Sequence, residues 1–187
     1  LITSVVGIML LTCIVNVNAG VVTDGLVSWW KFDEGAGSNA KDETAQGNDG
    51  TITGALWTTD TAGPASSHAL LFDGVDDFVD FGSDAGGITG PLTIDAWFNY
   101  GTGTSRGGIL DQYGPHNTGF WIGAESGTGN IRFDVYDPKS TQADNWDTLR
   151  TRNVNFLDEK WHHIAGVFFA DTSMRLKIYV DGTEVDG

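Results

Sequence analysis

Residues 69–82, ALLFDGVDDFVDFG, hold four aspartates within one short segment. Carboxylates at this density can ligate a hard cation, act as an acid and base on a glycosidic bond, or shape a turn. Asp73 is followed by Gly74, a pair typical of turns, because Asp side chains accept backbone N–H bonds and Gly tolerates positive φ. We therefore predict that residues 73–77 connect two short strands, with the metal and acid–base roles as alternatives.

A second oxygen-rich segment, residues 41–51, concentrates Asp, Asn, Thr and Gly in one turn-rich stretch. Ca²⁺ takes six to eight oxygen ligands, and such a loop can supply side-chain carboxylates together with backbone carbonyls. The sequence predicts a structural calcium site here, with Asp42 and Asn48 as ligands. The alternative is an Asx-rich loop that holds no ion.

The middle of the chain carries a different set of side chains, which would suit a sugar. Pyranose rings stack on aromatic faces, and their hydroxyls need planar hydrogen-bonding groups. Asp111, Tyr113, Trp121 and Arg132 lie on weakly patterned strands and are the predicted ligand-binding residues. The alternative is that Trp121 covers the outer edge of the core.

Nucleophilic and metal-dependent catalysis have little support. His162 and His163 are adjacent, so in a strand they point to opposite faces and cannot share a metal. The chain contains no CxxC or HExxH motif.

The segments that carry these side chains are predicted to be β-strands. In residues 92–100 the apolar side chains alternate with polar ones, and residues 131–136 and 174–180 repeat the pattern. Asp181-Gly182 then predicts a two-residue hairpin turn. Short alternating runs separated by Gly, Asp and Asn are typical of an all-β antiparallel sandwich.

Residues 1–19 carry no charge and include an apolar run too short to cross a bilayer. We predict a secretory signal removed before Gly20, hence a secreted or cell-surface protein without membrane insertion. A lipoprotein anchor at Cys13 is disfavoured because Thr12 stands where a smaller residue is needed. Residues 20–187 then form one domain, and we expect sequence to be missing at both ends.

Charge restricts the partners of this domain. The chain has 25 Asp and Glu against 10 Lys and Arg, a net charge of −15. Nucleic acid and anionic membrane surfaces are therefore excluded as expected partners.

Six motifs occur in a fixed order from about Asp24 to Gly187. They are GLVSWWKFDEGAG (25–37), KDETAQGNDGTITG (41–54), ALLFDGVDDFVDFG (69–82), LTIDAWFN (92–99), KWHHIAGVF (160–168) and KIYVDGTEV (177–185). The chain thereby resembles the laminin-G-like branch of the concanavalin A-like lectin/glucanase superfamily. The resemblance implies a jelly-roll sandwich that serves chiefly for binding or spacing, and it leads us to expect a closing strand beyond Gly187. It also adds Glu34 to the calcium ligands.

Glucanases of that superfamily carry an E-x-D-x-x-E strand with two catalytic carboxylates on one face. The one E-x-D here is Glu184-Val185-Asp186, which falls on the far arm of the predicted hairpin. We therefore expect a non-catalytic carbohydrate-binding accessory domain of a larger extracellular protein. The alternatives are an adhesion or spacer domain that binds protein or no ligand and, less favoured, a fragment of a polysaccharide hydrolase.

Overall fold

The computed structural model describes residues 4–12, 25–63, 65–82, 90–101, 107–114, 118–137, 140, 142, 145–152, 154–169 and 176–185. For 4–12, 113, 114 and 118 only the backbone is described. The regular elements of these residues are strands: β1 (Ser4–Thr12), β2 (Leu26–Trp30), β3 (Asn39–Ala40), β4 (Gly50–Thr53), β5 (Leu56–Thr58), β6 (Ala69–Phe72), β7 (Phe78–Asp80), β8 (Leu92–Tyr100), β9 (Gly107–Gly114), β10 (Thr118–Ala124), β11 (Ile131–Tyr136), β12 (Trp146–Arg150), β13 (Trp161–Phe168), β14 (Leu176–Val180) and β15 (Thr183–Val185).

The strands form antiparallel sheets, which confirms the predicted all-β sandwich. The large sheet has the order β15-β14-β13-β8-β1-β6-β5, and β2 also pairs with β1. A four-stranded sheet has the order β12-β11-β10-β9, and a three-stranded sheet the order β3-β4-β7. The strands joined by the aspartate-rich connection, β6 and β7, belong to different sheets, so residues 73–77 cross between sheets and do not close a hairpin.

The core lies between the large and the four-stranded sheet. Ile94 and Phe98 of β8 are buried together with Ile122 of β10 and Phe133 of β11, as the alternation of each strand predicts. Gly166 of β13 marks a close approach, because a Cβ there would lie 3.0 Å from both Ile122 Cδ1 and Phe133 Cδ1. A side chain at this position would push the two sheets apart.

The hairpin between β14 and β15 turns at Asp181 and Gly182, as predicted. Val180 pairs with Thr183, and the two residues between them have φ of 48° and 77°. Positive φ at both central positions matches the right-handed twist of the flanking strands.

The segment predicted as a secretory signal contributes β1 to the large sheet. β1 pairs with β8 on one side and with β2 and β6 on the other. Among the described residues there is no helix that is long and apolar enough to cross a membrane. Cleavage before Gly20 stays a prediction.

Candidate ligand-binding face

The register of the four-stranded sheet places one residue of each strand in a single row. Trp121 of β10 lies opposite Asp111 of β9 and Asp134 of β11, and Asp134 lies opposite Thr148 of β12. Directly paired residues of antiparallel strands project from the same face. Since Ile122 and Phe133 face the core, this row lies on the side of the sheet turned away from it.

Residues two positions along each strand extend that surface. We define the outer face as Asp111, Trp121, Arg132, Asp134, Tyr136, Trp146, Thr148 and Arg150. It thus contains three of the four predicted ligand-binding residues. The fourth, Tyr113, pairs with Gly119 at the end of β9, and its side chain lies outside the described part.

The best-defined polar group on the outer face is an ion pair. Arg132 Nε donates to Asp134 Oδ1 at 2.7 Å, and Arg132 Nη2 lies 2.6 Å from Asp134 Oδ2. Thr148 Oγ1 also donates to Asp134 Oδ1, at 2.8 Å. Asp134 is 2% exposed, so the pair is desolvated on the carboxylate side, and the guanidinium fork is held in one orientation. Asp134 was not among the ligand-binding residues predicted from the sequence, although its spacing of two residues from Arg132 in a strand already places both on one face.

Trp121 is not the open stacking surface that the sequence suggested. It is 4% exposed, yet it stands apart from the main core cluster. A Cβ on Gly108 would lie 3.3 Å from the indole Nε1, and one on Gly123 would lie 2.8 Å from Cζ2. One edge of the indole therefore lies close to two glycines of the outer face, apart from the core whose outer edge it was alternatively expected to cover. The half-buried rings on this face are Tyr136 and Trp146, edge to face with centroids 5.7 Å apart.

Asp111 differs from the other acids of the outer face. The residue is exposed, and among the described side chains no cation pairs with it. Partial burial nevertheless raises the pKa of its carboxyl above the ordinary value, because desolvation disfavours the charged form. Asp111 thus offers acceptor oxygens at the surface, on the same face of the sheet as the fixed guanidinium of Arg132 but separated from it by β10.

The loop of residues 41–51 is organised around Asp42, which is 4% exposed. Its Oδ1 accepts the backbone N–H groups of Trp29 at 3.0 Å and Thr44 at 2.9 Å. Its Oδ2 accepts the Thr44 hydroxyl at 2.8 Å and the Asn48 N–H at 2.9 Å. Burial alone raises the pKa of Asp42, but these hydrogen bonds outweigh it and hold the pKa below 3.8.

The other two predicted calcium ligands are also engaged by the protein. Asn48 Nδ2 donates to Ser28 Oγ at 2.7 Å, and Glu34 Oε1 accepts the Lys41 N–H at 2.7 Å. A carboxylate has about four lone-pair sites, and those of Asp42 are taken by four donors. The Asp42 carboxylate therefore does not fit a cation, because its lone pairs are already used. The geometry favours the alternative of a loop held by hydrogen bonds. Calcium binding stays a prediction for melting experiments to decide.

The connection at residues 73–77 shows turn geometry. Gly74 has φ of 75°, and the Val75 N–H donates to Asp73 Oδ1 at 2.8 Å. Asp77 Oδ2 accepts the Asp73 N–H at 2.8 Å. The carboxylates of Asp73, Asp76 and Asp77 lie within 4.8 Å of one another, but two of them are used in closing the turn. Such exposed acidic groups are common without an ion.

The two histidines lie on opposite faces of the large sheet. His162 faces inward, with Nδ1 2.8 Å from Asp181 Oδ2 and Nε2 3.1 Å from Asp158 Oδ1. His163 faces outward beside Trp97 and lies 3.3 Å from Asp95. Trp97 is half-buried on the outward side, as are Trp29 and Trp161.

The E-x-D segment has the predicted hairpin-arm position. Glu184 of β15 pairs with Tyr179 of β14, and its carboxylate lies 2.9 Å from Lys177 Nζ. Asp186 lies outside the described residues.

Comparison with protein families gives one match. A family model of laminin G type, described as the concanavalin A-like lectin/glucanases superfamily, matches residues 72–187. The chain belongs to the concanavalin A-like lectin/glucanase superfamily. The matched region contains the whole four-stranded sheet, and membership supports a lectin-like or adhesion domain in general terms. Comparisons with curated proteins and with solved structures found no match.

Proposed function

We propose that this domain binds a carbohydrate on the outer face of the four-stranded sheet and does not act on it chemically. The supporting observation is that Asp111, Trp121 and Arg132, chosen from sequence as sugar-binding groups, share one face with the Arg132–Asp134 pair. Membership of a superfamily with lectins is compatible with this proposal, although family alone does not specify a ligand.

The chemistry of the outer face suits hydroxyl groups. Asp111 presents carboxylate oxygens that accept hydrogen bonds, and Arg132 carries five N–H donors in a planar fork. Because Asp134 and Thr148 fix the orientation of that fork, little side-chain entropy is lost when a ligand binds. Tyr136 and Trp146 add partly exposed aromatic surface for the apolar face of a pyranose.

The two carboxylates of the face are poorly suited to glycoside hydrolysis. Asp111 and Asp134 lie on strands separated by β10, so their backbones are about 9–10 Å apart. That spacing resembles an inverting pair, but a general base must reach a water molecule. Asp134 is 2% exposed, and both its oxygens contact Arg132. It therefore serves to orient the guanidinium.

The test is affinity electrophoresis in native gels that contain a panel of soluble polysaccharides, with reducing-end release measured in parallel. Asp111→Ala should lose about 10–100-fold in affinity, since hydrogen bonds to a charged group contribute roughly 1.5–3 kcal/mol. Asp76→Ala is the matched control, because it removes an exposed aspartate from the connection between β6 and β7. Equal retention of wild type and Asp111→Ala would refute the proposed face, and turnover would refute the non-catalytic role.

An adhesion role is the second candidate, and one observation favours it. The large sheet turns Trp97 and Trp161, both half-buried, away from the core, and Trp is enriched in protein interfaces. In that case Trp97→Ala would weaken binding of a protein partner while leaving polysaccharide retention unchanged.

A further inference from the structure

The charges of the outer face bear on which class of glycan it takes. Arg132 is matched by Asp134 through two contacts, and Arg150 Nε donates to Glu125 Oε1 at 2.7 Å. Both arginines of the face are therefore neutralised by acids of the chain itself. Asp111 has no cationic partner among the described residues, so this row carries a surplus of negative charge.

The rest of the molecule adds to that surplus. The chain has a net charge of −15, and the sum of its charges gives a negative potential around the surface. A ligand that carries carboxylate or sulfate groups would meet Asp111 without a compensating cation. A neutral sugar meets no such repulsion, and its hydroxyls can donate to the same carboxylate.

We propose that the outer face selects neutral glycans and rejects uronate-containing or sulfated ones, with Asp111 as the specificity-determining residue. This inference rests on the proposed function and names its ligand class. The rejection works as a repulsive element, which is a general way to obtain specificity between ligands of similar shape. Arg132 then binds hydroxyl oxygens, because its charge is already balanced by Asp134.

The experiment compares pairs of polymers that share a backbone and differ in charge. Dextran and dextran sulfate form one pair, and methyl-esterified and de-esterified polygalacturonate form another. Affinity electrophoresis at low ionic strength is performed on wild type, Asp111→Asn and the matched control Asp76→Asn. Asp111→Asn keeps the size of the side chain and an acceptor oxygen while removing the charge.

Wild type should bind the neutral member of a retained pair about tenfold or more tightly than the acidic member, as expected for one like-charge contact near a surface. Asp111→Asn should lower the ratio of the affinities for the neutral and the acidic polymer, and Asp76→Asn should leave this ratio unchanged. Added salt should lower the ratio in wild type, because salt screens the repulsion.

The outcomes separate this inference from the function on which it rests. Equal or tighter binding of the acidic polymers, lost in Asp111→Ala, would keep the binding face and overturn the neutral selectivity. A ratio that Asp111→Asn and Asp76→Asn change equally would show a diffuse charge effect and overturn the role of Asp111. Absence of retention on any polymer would contradict the proposed function itself and, with it, this inference.

Discussion

Removal of the Asp42 carboxylate should destabilise the fold in the absence of any metal. Asp42→Ala leaves three backbone N–H groups without their acceptor, and the Thr44 hydroxyl keeps only a longer bond of 3.4 Å to the Val27 carbonyl. A buried donor that loses its partner costs about 1–3 kcal/mol. Because water reaches part of this loop, we expect a total loss of about 3–6 kcal/mol in the free energy of unfolding. Asp42→Asn should lose less, since its amide oxygen still accepts two of the four bonds.

The assay is chemical denaturation with excess chelator and again with excess Ca²⁺. Glu43→Ala is the control, because that side chain makes only an exposed pair with Lys41 at 3.3 Å and should change stability by less than about 0.5 kcal/mol. The pKa of Asp42 is held below 3.8. Its stabilisation is therefore complete above the unfolded-state pKa and is lost as pH falls through the lower folded-state value.

One result would contradict the explanation that hydrogen bonds to Asp42 hold this loop. If Asp42→Ala has wild-type stability in chelator and is less stable than wild type only when Ca²⁺ is present, Asp42 is a metal ligand. In that case mass action by the ion, and not the four hydrogen bonds, would hold residues 41–51 in place.

Three other predictions test separate parts of the structure. Gly74→Val should lower the free energy of unfolding by about 1–3 kcal/mol because φ is positive there, whereas Asp76→Asn should be near neutral. If Asp76→Asn destabilises the fold more than Gly74→Val does, and only with Ca²⁺ present, the aspartates are metal ligands. Burial alone would lower the pKa of His162, but two neighbouring carboxylates raise it above 6.5. The melting temperature should therefore fall as pH rises through that raised pKa, and a profile unchanged by His162→Gln would contradict this. If residues 1–19 are a signal, mass spectrometry of the mature protein should give an N-terminus at Gly20, and recovery of residues 4–12 in the mature chain would overturn the signal prediction.

Local patterns were sufficient to predict the sheets. From Ile94 to Tyr100 the side chains of β8 alternate between buried and half-buried as the sequence indicates, and the Asp181-Gly182 turn has the expected positive φ at both positions. These features depend on neighbouring residues and on the period of a strand, so they are readable without any knowledge of tertiary contacts.

The burial of individual aromatics was not predictable in this way. The ring of Trp121 lies close to Gly108 and Gly123, and Gly108 belongs to a neighbouring strand whose register the sequence does not reveal. The role of Asp42 was missed for a related reason, since one of its four donors, Trp29, comes from a distant segment.

Chemical-shift mapping can show whether a carbohydrate binds on the outer face of the four-stranded sheet. The ¹⁵N-labelled protein would be titrated with a neutral oligosaccharide from a retained polymer, and backbone amide shifts followed along every strand. If the outer face is the binding site, the largest shift changes should cluster at Asp111, Trp121, Arg132 and Thr148. The amide shifts of Trp97 and His163 on the large sheet should not change. Changes centred on the large sheet, or none at concentrations that saturate retention, would contradict a binding site on the outer face.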